Sequence, residues 1–241
     1  MALLVDGDLN RIEDLKAQDA SVMDVAASEG IDLEEKLKLA WQEVQAEVEF
    51  FLAQEGGAAL EQVAVSMAMK SWHVWKTLEA VYRDAFFSQL NDRYGQRWRH
   101  WVSMAEKQRV RVLEMGLKVI SRPVRRPTGM EVEITAGEQP AGSYWLQVTH
   151  VDDSGQESAP SRVRALGAVG PHGLTVVVPG TMRWNVYAGT SPDAVTLQNA
   201  EPMAAGTTWV MPAVGLWAGR EAESGQIADG TVRRVPRNWR G

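Results

Sequence analysis

The amino-acid sequence predicts an α+β protein of two domains, in which an antiparallel helical bundle precedes a small β-sandwich and an extended C-terminal arm. Apolar residues recur at intervals of three and four in the first half of the chain and at intervals of two in much of the second half. A stretch rich in proline and arginine separates the two patterns. We therefore place the helical domain at residues 1–121, the linker at 122–128, the sandwich at 129–212 and the arm at 213–241.

One long helix has clear start and stop signals. Asp32 precedes Leu33-Glu34-Glu35, a capping box in which the Asp32 carboxylate accepts a hydrogen bond from the Glu35 amide. Gly30 is the expected end of a shorter helix from about residue 10 to 28. The long helix should end before Gly56-Gly57. Its buried face is predicted to contain Leu33, Leu37, Ala40, Trp41, Val44, Val48, Phe51 and Leu52.

Two further helices are predicted, from residue 58 to about 94 and from 96 to 120, and together the helices should form a bundle. The last helix places Lys107, Arg111 and Lys118 on a face away from its apolar residues. The tryptophan pairs Trp72/Trp75 and Trp98/Trp101 have two interpretations. We favour the bundle core, and the alternative is a subunit interface, where tryptophan is enriched.

The second half of the chain is predicted to form short strands. Residues 122–127, with two prolines, end the helical pattern because proline lacks a donor and constrains its predecessor. Clusters of glycine and proline separate alternating segments, which is typical of a β-sandwich. Asp152–Glu157 lacks the spacing of a calcium loop, and a hairpin turn is favoured. The strands are centred on residues 144–148, 174–178, 184–188, 195–197 and 207–211.

Composition and motifs predict neither an enzyme nor a cofactor site. The net charge of −6 argues against a general nucleic-acid binder, and the absence of cysteine excludes disulfides and thiolate chemistry. His73, His100, His150 and His172 have no metal-ligand spacing, and no nucleophile elbow or phosphate-binding loop is visible. No segment approaches the roughly 20 apolar residues of a membrane span, and the first residues do not form a signal peptide.

The helical half carries DVAASEGIDLEEKLKLAWQEV, followed by LEAVYRDAFFSQLNDRYGQRWRHW. This pattern, over about residues 8–120, resembles the helical head-to-tail adaptor (connector or head-completion) proteins of tailed bacteriophages. The resemblance implies a homo-oligomeric ring of about a dozen subunits beneath the portal protein. It also implies a downstream neck or tail-terminator partner and packaged DNA passing through the channel. The expected location is the virion neck, after assembly in the bacterial cytoplasm and without a membrane.

The other half carries GSYWLQVTHVDDSGQESAPSRVRAL, followed by RWNVYAGTSPDAVTLQNA. These segments, within residues 129–211, resemble fibronectin type III-like or immunoglobulin-like modules appended to phage structural proteins. The first segment is similar to the last hairpin of such a module, and NVYAGTS is similar to a middle strand. Since the hairpin comes first here, the topology is either permuted or only sandwich-like.

Two sets of basic residues are candidate contact sites. The set near the third helix forms either a solvated face or a docking surface for an acidic ring or for passing DNA. The set in the arm places one tryptophan among arginines, a combination that can anchor a segment on a partner. The resemblance implies docking on the portal or on a neighbouring subunit. The first set is Arg97, Arg99, Lys107, Arg111 and Lys118, and the second is Arg233, Arg234, Arg237, Trp239 and Arg240.

Two functions remain open from the sequence. The first is a structural adaptor that forms a ring through its helical domain and carries the sandwich outside it. The second is a module that binds a host-surface carbohydrate or protein through the sandwich, with the bundle as its mount. Long amphipathic helices favour the first.

Overall fold

The computed structural model describes residues 1–7, 10–89 and 93–235. Within these residues, five α-helices are followed by antiparallel sheets, which confirms the predicted α+β class. The helices are α1 (Ile12–Gln18), α2 (Val22–Glu29), α3 (Leu33–Glu55), α4 (Met67–Gln89) and α5 (Gly95–Met115). The strands are β1 (Leu117–Val119), β2 (Glu131–Gln139), β3 (Gly142–Val151), β4 (Arg164–Ala168), β5 (His172–Val177), β6 (Arg183–Gly189), β7 (Thr196–Leu197), β8 (Thr208–Val210) and β9 (Gly230–Val232).

The chain divides into two compact units. The helical unit contains Leu4–Ser121 together with residues 228–235, and the β unit contains Met1–Leu3 and Arg122–Ile227. The region predicted as one arm is therefore shared: residues 213–227 lie with the sandwich and residues 228–235 with the helices. No helix among the described residues is long and apolar enough to cross a membrane.

Helix α3 forms as predicted. The Asp32 carboxylate caps it by accepting hydrogen bonds from the amides of Glu34 (2.9 Å) and Glu35 (3.2 Å). Gly30 ends α2 in the left-handed conformation, and α3 ends at Gly56. All eight residues that the helical spacing assigned to the buried face of α3 are buried.

The first helical region is interrupted, contrary to the prediction of one helix over residues 10–28. The Asp19 carboxylate accepts hydrogen bonds from the amide of Ser21 (3.0 Å) and from its hydroxyl (2.7 Å). These bonds compete with the helical pattern and separate α1 from α2. Partial burial of the Asp19 carboxylate raises its pKa, but the hydrogen bonds outweigh this effect, and the pKa of Asp19 lies below its ordinary value.

Residues 58–66 do not belong to an α-helix either; a 3-10 turn at Leu60–Gln62 is followed by an extended stretch. Val63 forms a bridge with Val119, and the amide of Leu4 donates to the carbonyl of Val63 (2.8 Å). β-branched residues suit this extended pairing better than a helix. Helix α4 begins after Ser66, whose hydroxyl accepts from the amide of Met69 (3.2 Å).

Helix α5 is shorter than predicted because Gly116 ends it. Gly116 has φ of 86°, and the next residues form β1, which pairs antiparallel with β9. The chain thereby returns to the helical unit more than a hundred residues after leaving it. Leu117 and Ile120, assigned to a helix by their spacing, are buried through this ribbon instead.

Two apolar clusters hold the helical unit together, and α4 contributes to both. One includes Trp72 and Met69, and the other Leu78 and Tyr82. The preferred interpretation of the tryptophan pairs is confirmed: Trp72 and Trp101 are buried, and Trp75 and Trp98 pack against the second cluster.

The β unit is a sandwich of two antiparallel sheets with one shared core. The sheets have the strand orders β2-β5-β8 and β4-β3-β6-β7. Strands were expected at β3, β5, β6, β7 and β8, whereas β2 and β4 were not anticipated because few of their side chains are buried. The β3–β4 hairpin precedes β6 along the chain. The core includes Leu146, Val148, Leu174, Val176, Trp184 and Val186.

Gly116 should be intolerant of a side chain. A Cβ there would lie 2.6 Å from the carbonyl oxygen of Val232, whereas one at Gly30, also at positive φ, would meet nothing within 4 Å. We expect Gly30→Ala to lower the unfolding free energy by about 1 kcal/mol through backbone strain alone. Gly116→Ala should lower it by at least about 1 kcal/mol more, since β9 must also shift. Urea unfolding followed by circular dichroism measures both, and equal losses would contradict the role given to the β1–β9 ribbon.

Candidate interaction surfaces

An open groove lies between α3 and α5. Both helices run antiparallel to α4, as shown by the Lys36–Asp84 ion pair (2.6 Å) and by the Gln108 amide donating to the Ala68 carbonyl (2.9 Å). Because each packs on α4, a space of about 760 Å³ remains between them. Its walls include Glu43, Ala46, Glu47, Phe50, Trp72, Lys76, Glu79, Val102, Glu106 and Arg109.

Two cations in this groove are each shared by two carboxylates. Lys76 lies 3.0 Å from Glu43 and 3.2 Å from Glu79. Burial disfavours the charged form of Lys76, but these two carboxylates outweigh it and raise its pKa. The cluster of Lys76, Glu43 and Glu79 therefore carries one net negative charge.

Arg109 forms the second cluster, 3.3 Å from Glu47 and 2.7 Å from Glu106. The Arg109 hydrogen bonds lower the pKa of Glu106 below its ordinary value. With four carboxylates against two cations, the groove favours a positively charged ligand. Phe50 and Val102 are 63% and 38% exposed, so the same groove also offers apolar surface.

The basic residues predicted on the third helix do not all lie together. Arg99, Lys107 and Arg111 are exposed on α5. Lys118 lies in β1, where its ammonium donates to the Thr231 hydroxyl (3.1 Å). The prediction that Lys118 shares a helical face with Lys107 and Arg111 is wrong, because α5 ends at Met115.

Arg97 belongs to a polar cluster at the start of α5. Its guanidinium donates to the Tyr82 hydroxyl (3.0 Å) and to the Ser21 hydroxyl, and it lies 4.0 Å from Asp19. The Tyr82 hydroxyl in turn donates to Asp19 (2.7 Å). Arg97 therefore joins α5 to the α1–α2 connection, a structural task that its position in a basic stretch did not indicate.

The arm residues fall into two groups. Arg233 lines a cavity beside Met67 and Met115, and Arg234 lies 3.9 Å from Glu55. The amide of Val235 donates to Glu55 (2.8 Å), which fixes the chain at the end of α3. Arg237, Trp239 and Arg240 lie outside the described residues.

The four histidines are dispersed. His73 is buried: its Nδ1 lies 2.8 Å from the Asn10 amide nitrogen, and its Nε2 lies 2.8 Å from the Leu37 carbonyl. In the part of the chain that the structure describes, no group of three or more histidine, aspartate or glutamate side chains could hold a metal ion. Asp152–Glu157 forms the predicted hairpin turn, in which Asp152 accepts from the amides of Ser154 (2.9 Å) and Gln156 (2.8 Å).

Glu157 is the centre of a polar cluster that the sequence did not reveal. Its carboxylate accepts hydrogen bonds from Asn185 (2.6 Å), Tyr187 (2.7 Å) and Thr149 (3.2 Å), and it pairs with Arg220. Burial, then the bond to Glu157, raises the pKa of Tyr187. Glu157 and Arg220 are 63 residues apart, so no local pattern could have connected them.

This cluster attaches the segment before the β9 ribbon to the sandwich. The Arg220 guanidinium also lies over the Tyr187 ring, 5.7 Å from its centre. Nearby, the Trp217 amide donates to Gln198 (3.0 Å), and the Leu197 amide donates to the Arg220 carbonyl (2.9 Å). Residues 213–227, the first part of the predicted arm, are therefore bound along the sandwich beside β7. We call this segment the strap.

His73 should remain neutral below the pH at which an unfolded histidine becomes charged. Burial lowers its pKa from 6.5, and the bond to Leu37 opposes that change without overcoming it. Below pH 6.5 the unfolded chain binds more protons at this site than the folded chain does. The contribution of neutral His73 to the unfolding free energy is therefore fully present above that pH and is lost as the pH falls. Ring NMR signals of neutral imidazole at pH values just below 6.5 would confirm this, and a normal titration would contradict it.

Glu157→Gln should loosen the strap. The substitution keeps the shape of the side chain but removes the carboxylate that pairs with Arg220, and a hydrogen bond to a charged group contributes roughly 1.5–3 kcal/mol. We expect faster proteolysis within residues 213–227, measured by limited trypsin digestion and mass spectrometry. The matched control is Glu138→Gln, at an exposed position in β2. If both variants behave like the parent chain, Glu157 does not hold the strap.

Comparison with known proteins gives no relative by sequence. No protein-family model matches the chain, and no curated protein matches it.

Proposed function

We propose that this chain is a structural protein of a tailed bacteriophage, a head-to-tail adaptor that forms a ring in the virion neck. The proposal begins from the resemblance of residues 8–120 to such adaptors. The observation that carries it is the basic, exposed face of α5, formed by Arg99, Lys107 and Arg111. This face belongs to a chain whose net charge is −6.

A basic face on an acidic protein favours contact with a copy of itself or with an acidic neighbour. Opposite charges speed encounter and select the partner, while like charges elsewhere on the surface disfavour other arrangements. From Arg99 to Arg111 the face extends about 18 Å along the helix axis. A contact in which one patch meets a different patch on the next subunit closes into a ring when the rotation permits.

The other parts of the chain would serve this assembly. In the proposed ring, the portal lies on one side, a downstream neck or tail-terminator protein on the other, and packaged DNA passes through the centre. The sandwich has its own apolar core and would lie at the periphery. Arg233 and Arg234 follow the β9 ribbon, so a neighbour could also contact the chain there.

The mass of the assembled protein tests this proposal. We expect native mass spectrometry and negative-stain microscopy of the full-length chain to show rings of about a dozen copies, alone or on portal rings of the encoding phage. Lys107→Glu with Arg111→Glu should abolish the rings by reversing the charge of the face. Since both side chains are exposed, the melting temperature should stay within a few degrees of the parent value.

Lys38→Glu is the matched control, because Lys38 is an exposed cation on α3, away from the α5 face. If the double variant still forms rings, the basic face of α5 is not part of the subunit interface. A chain that stays monomeric with portal rings present, but binds the host cell surface, would replace this proposal with the host-binding alternative.

A further inference from the structure

We infer that the groove between α3 and α5 binds residues 236–241 of the same chain, whose sequence is Pro-Arg-Asn-Trp-Arg-Gly. This inference is independent of the adaptor proposal. It rests on the charge and exposure of the groove, the composition of the segment, and the position at which the described chain reaches Val235.

The groove is suited to a ligand that is both cationic and aromatic. The clusters around Lys76 and Arg109 each retain one negative charge in excess. Phe50 is 63% exposed in the same groove. An aliphatic ligand would leave the excess charge without a partner, and a purely ionic one would leave Phe50 in water.

Residues 236–241 have this combination of side chains. Arg237 and Arg240 flank Trp239 in the sequence, and the segment contains no acidic residue. Guanidinium groups form strong paired hydrogen bonds with carboxylates. Trp239 could pack on Phe50 in an aromatic contact worth more than its buried area alone.

The segment also begins at the correct end of the groove. The Val235 amide is bound to Glu55, the last residue of α3, at 2.8 Å. Along α3, Phe50 lies about 7.5 Å from Glu55 and Glu43 about 18 Å from it. Six extended residues span up to about 20 Å, so the segment can cover the groove without help from another subunit.

Site-directed disulfide formation tests the inference, and the chain is well suited to it because it contains no cysteine. We would combine Asn238→Cys with Ala46→Cys, which lies in the groove wall. The control combines Asn238→Cys with Glu49→Cys, an exposed position at a similar height on α3 outside the groove lining. Under mild oxidation of the full-length chain, the groove pair should cross-link at least roughly tenfold faster than the control.

Charge reversal provides the second arm of the test. Arg237→Glu with Arg240→Glu should remove the rate advantage, and adding Glu43→Lys with Glu47→Lys should restore it. The product should have the mass of one chain at every protein concentration. Equal rates for the groove and control pairs would overturn the inference. A predominantly dimeric product would also overturn it, because the segment would then bind a second copy.

Discussion

Helix α4 organises the helical unit, because it packs against α3 and α5 and also against α1 and α2. Trp72 and Met69 belong to one apolar cluster and Leu78 and Tyr82 to the other, so the same helix supplies both cores. Helices α3 and α5 both bury apolar residues against α4, and the Arg109–Glu47 ion pair joins them across the groove. The groove between them follows from this arrangement. It is lined by charged residues at the borders of the apolar faces of the two amphipathic helices.

The return of the chain to the helical unit is the second determining feature. Glu157 and Arg220 hold the strap along the sandwich, and β9 then pairs with β1. Glu55 receives the Val235 amide directly afterwards. The chain therefore lies beside the end of α3 at Val235. These polar contacts are specific in direction, and they position a segment that has too few apolar residues to bury a core of its own.

Helical spacing and capping signals predicted α3 residue by residue, because its stability comes from contacts that recur along one face. The strands with strong alternation were predicted for the same reason. The signals failed where a distant partner decided the conformation: residues 117–119 carry helical spacing but pair with β9, and Val63 pairs with Val119. The candidate surfaces show the same division, since Lys107 and Arg111 could be grouped from the sequence, whereas Glu157 and Arg220 could not.

In the proposed function, the protein assembles through the exposed face of α5. A cryo-electron microscopy reconstruction of the full-length assembly, at a resolution that shows side chains, measures this most directly. We expect density from a neighbouring subunit or an acidic partner against Arg99, Lys107 and Arg111. An assembly in which this face points to solvent, with every subunit contact made by the sandwich, would contradict it.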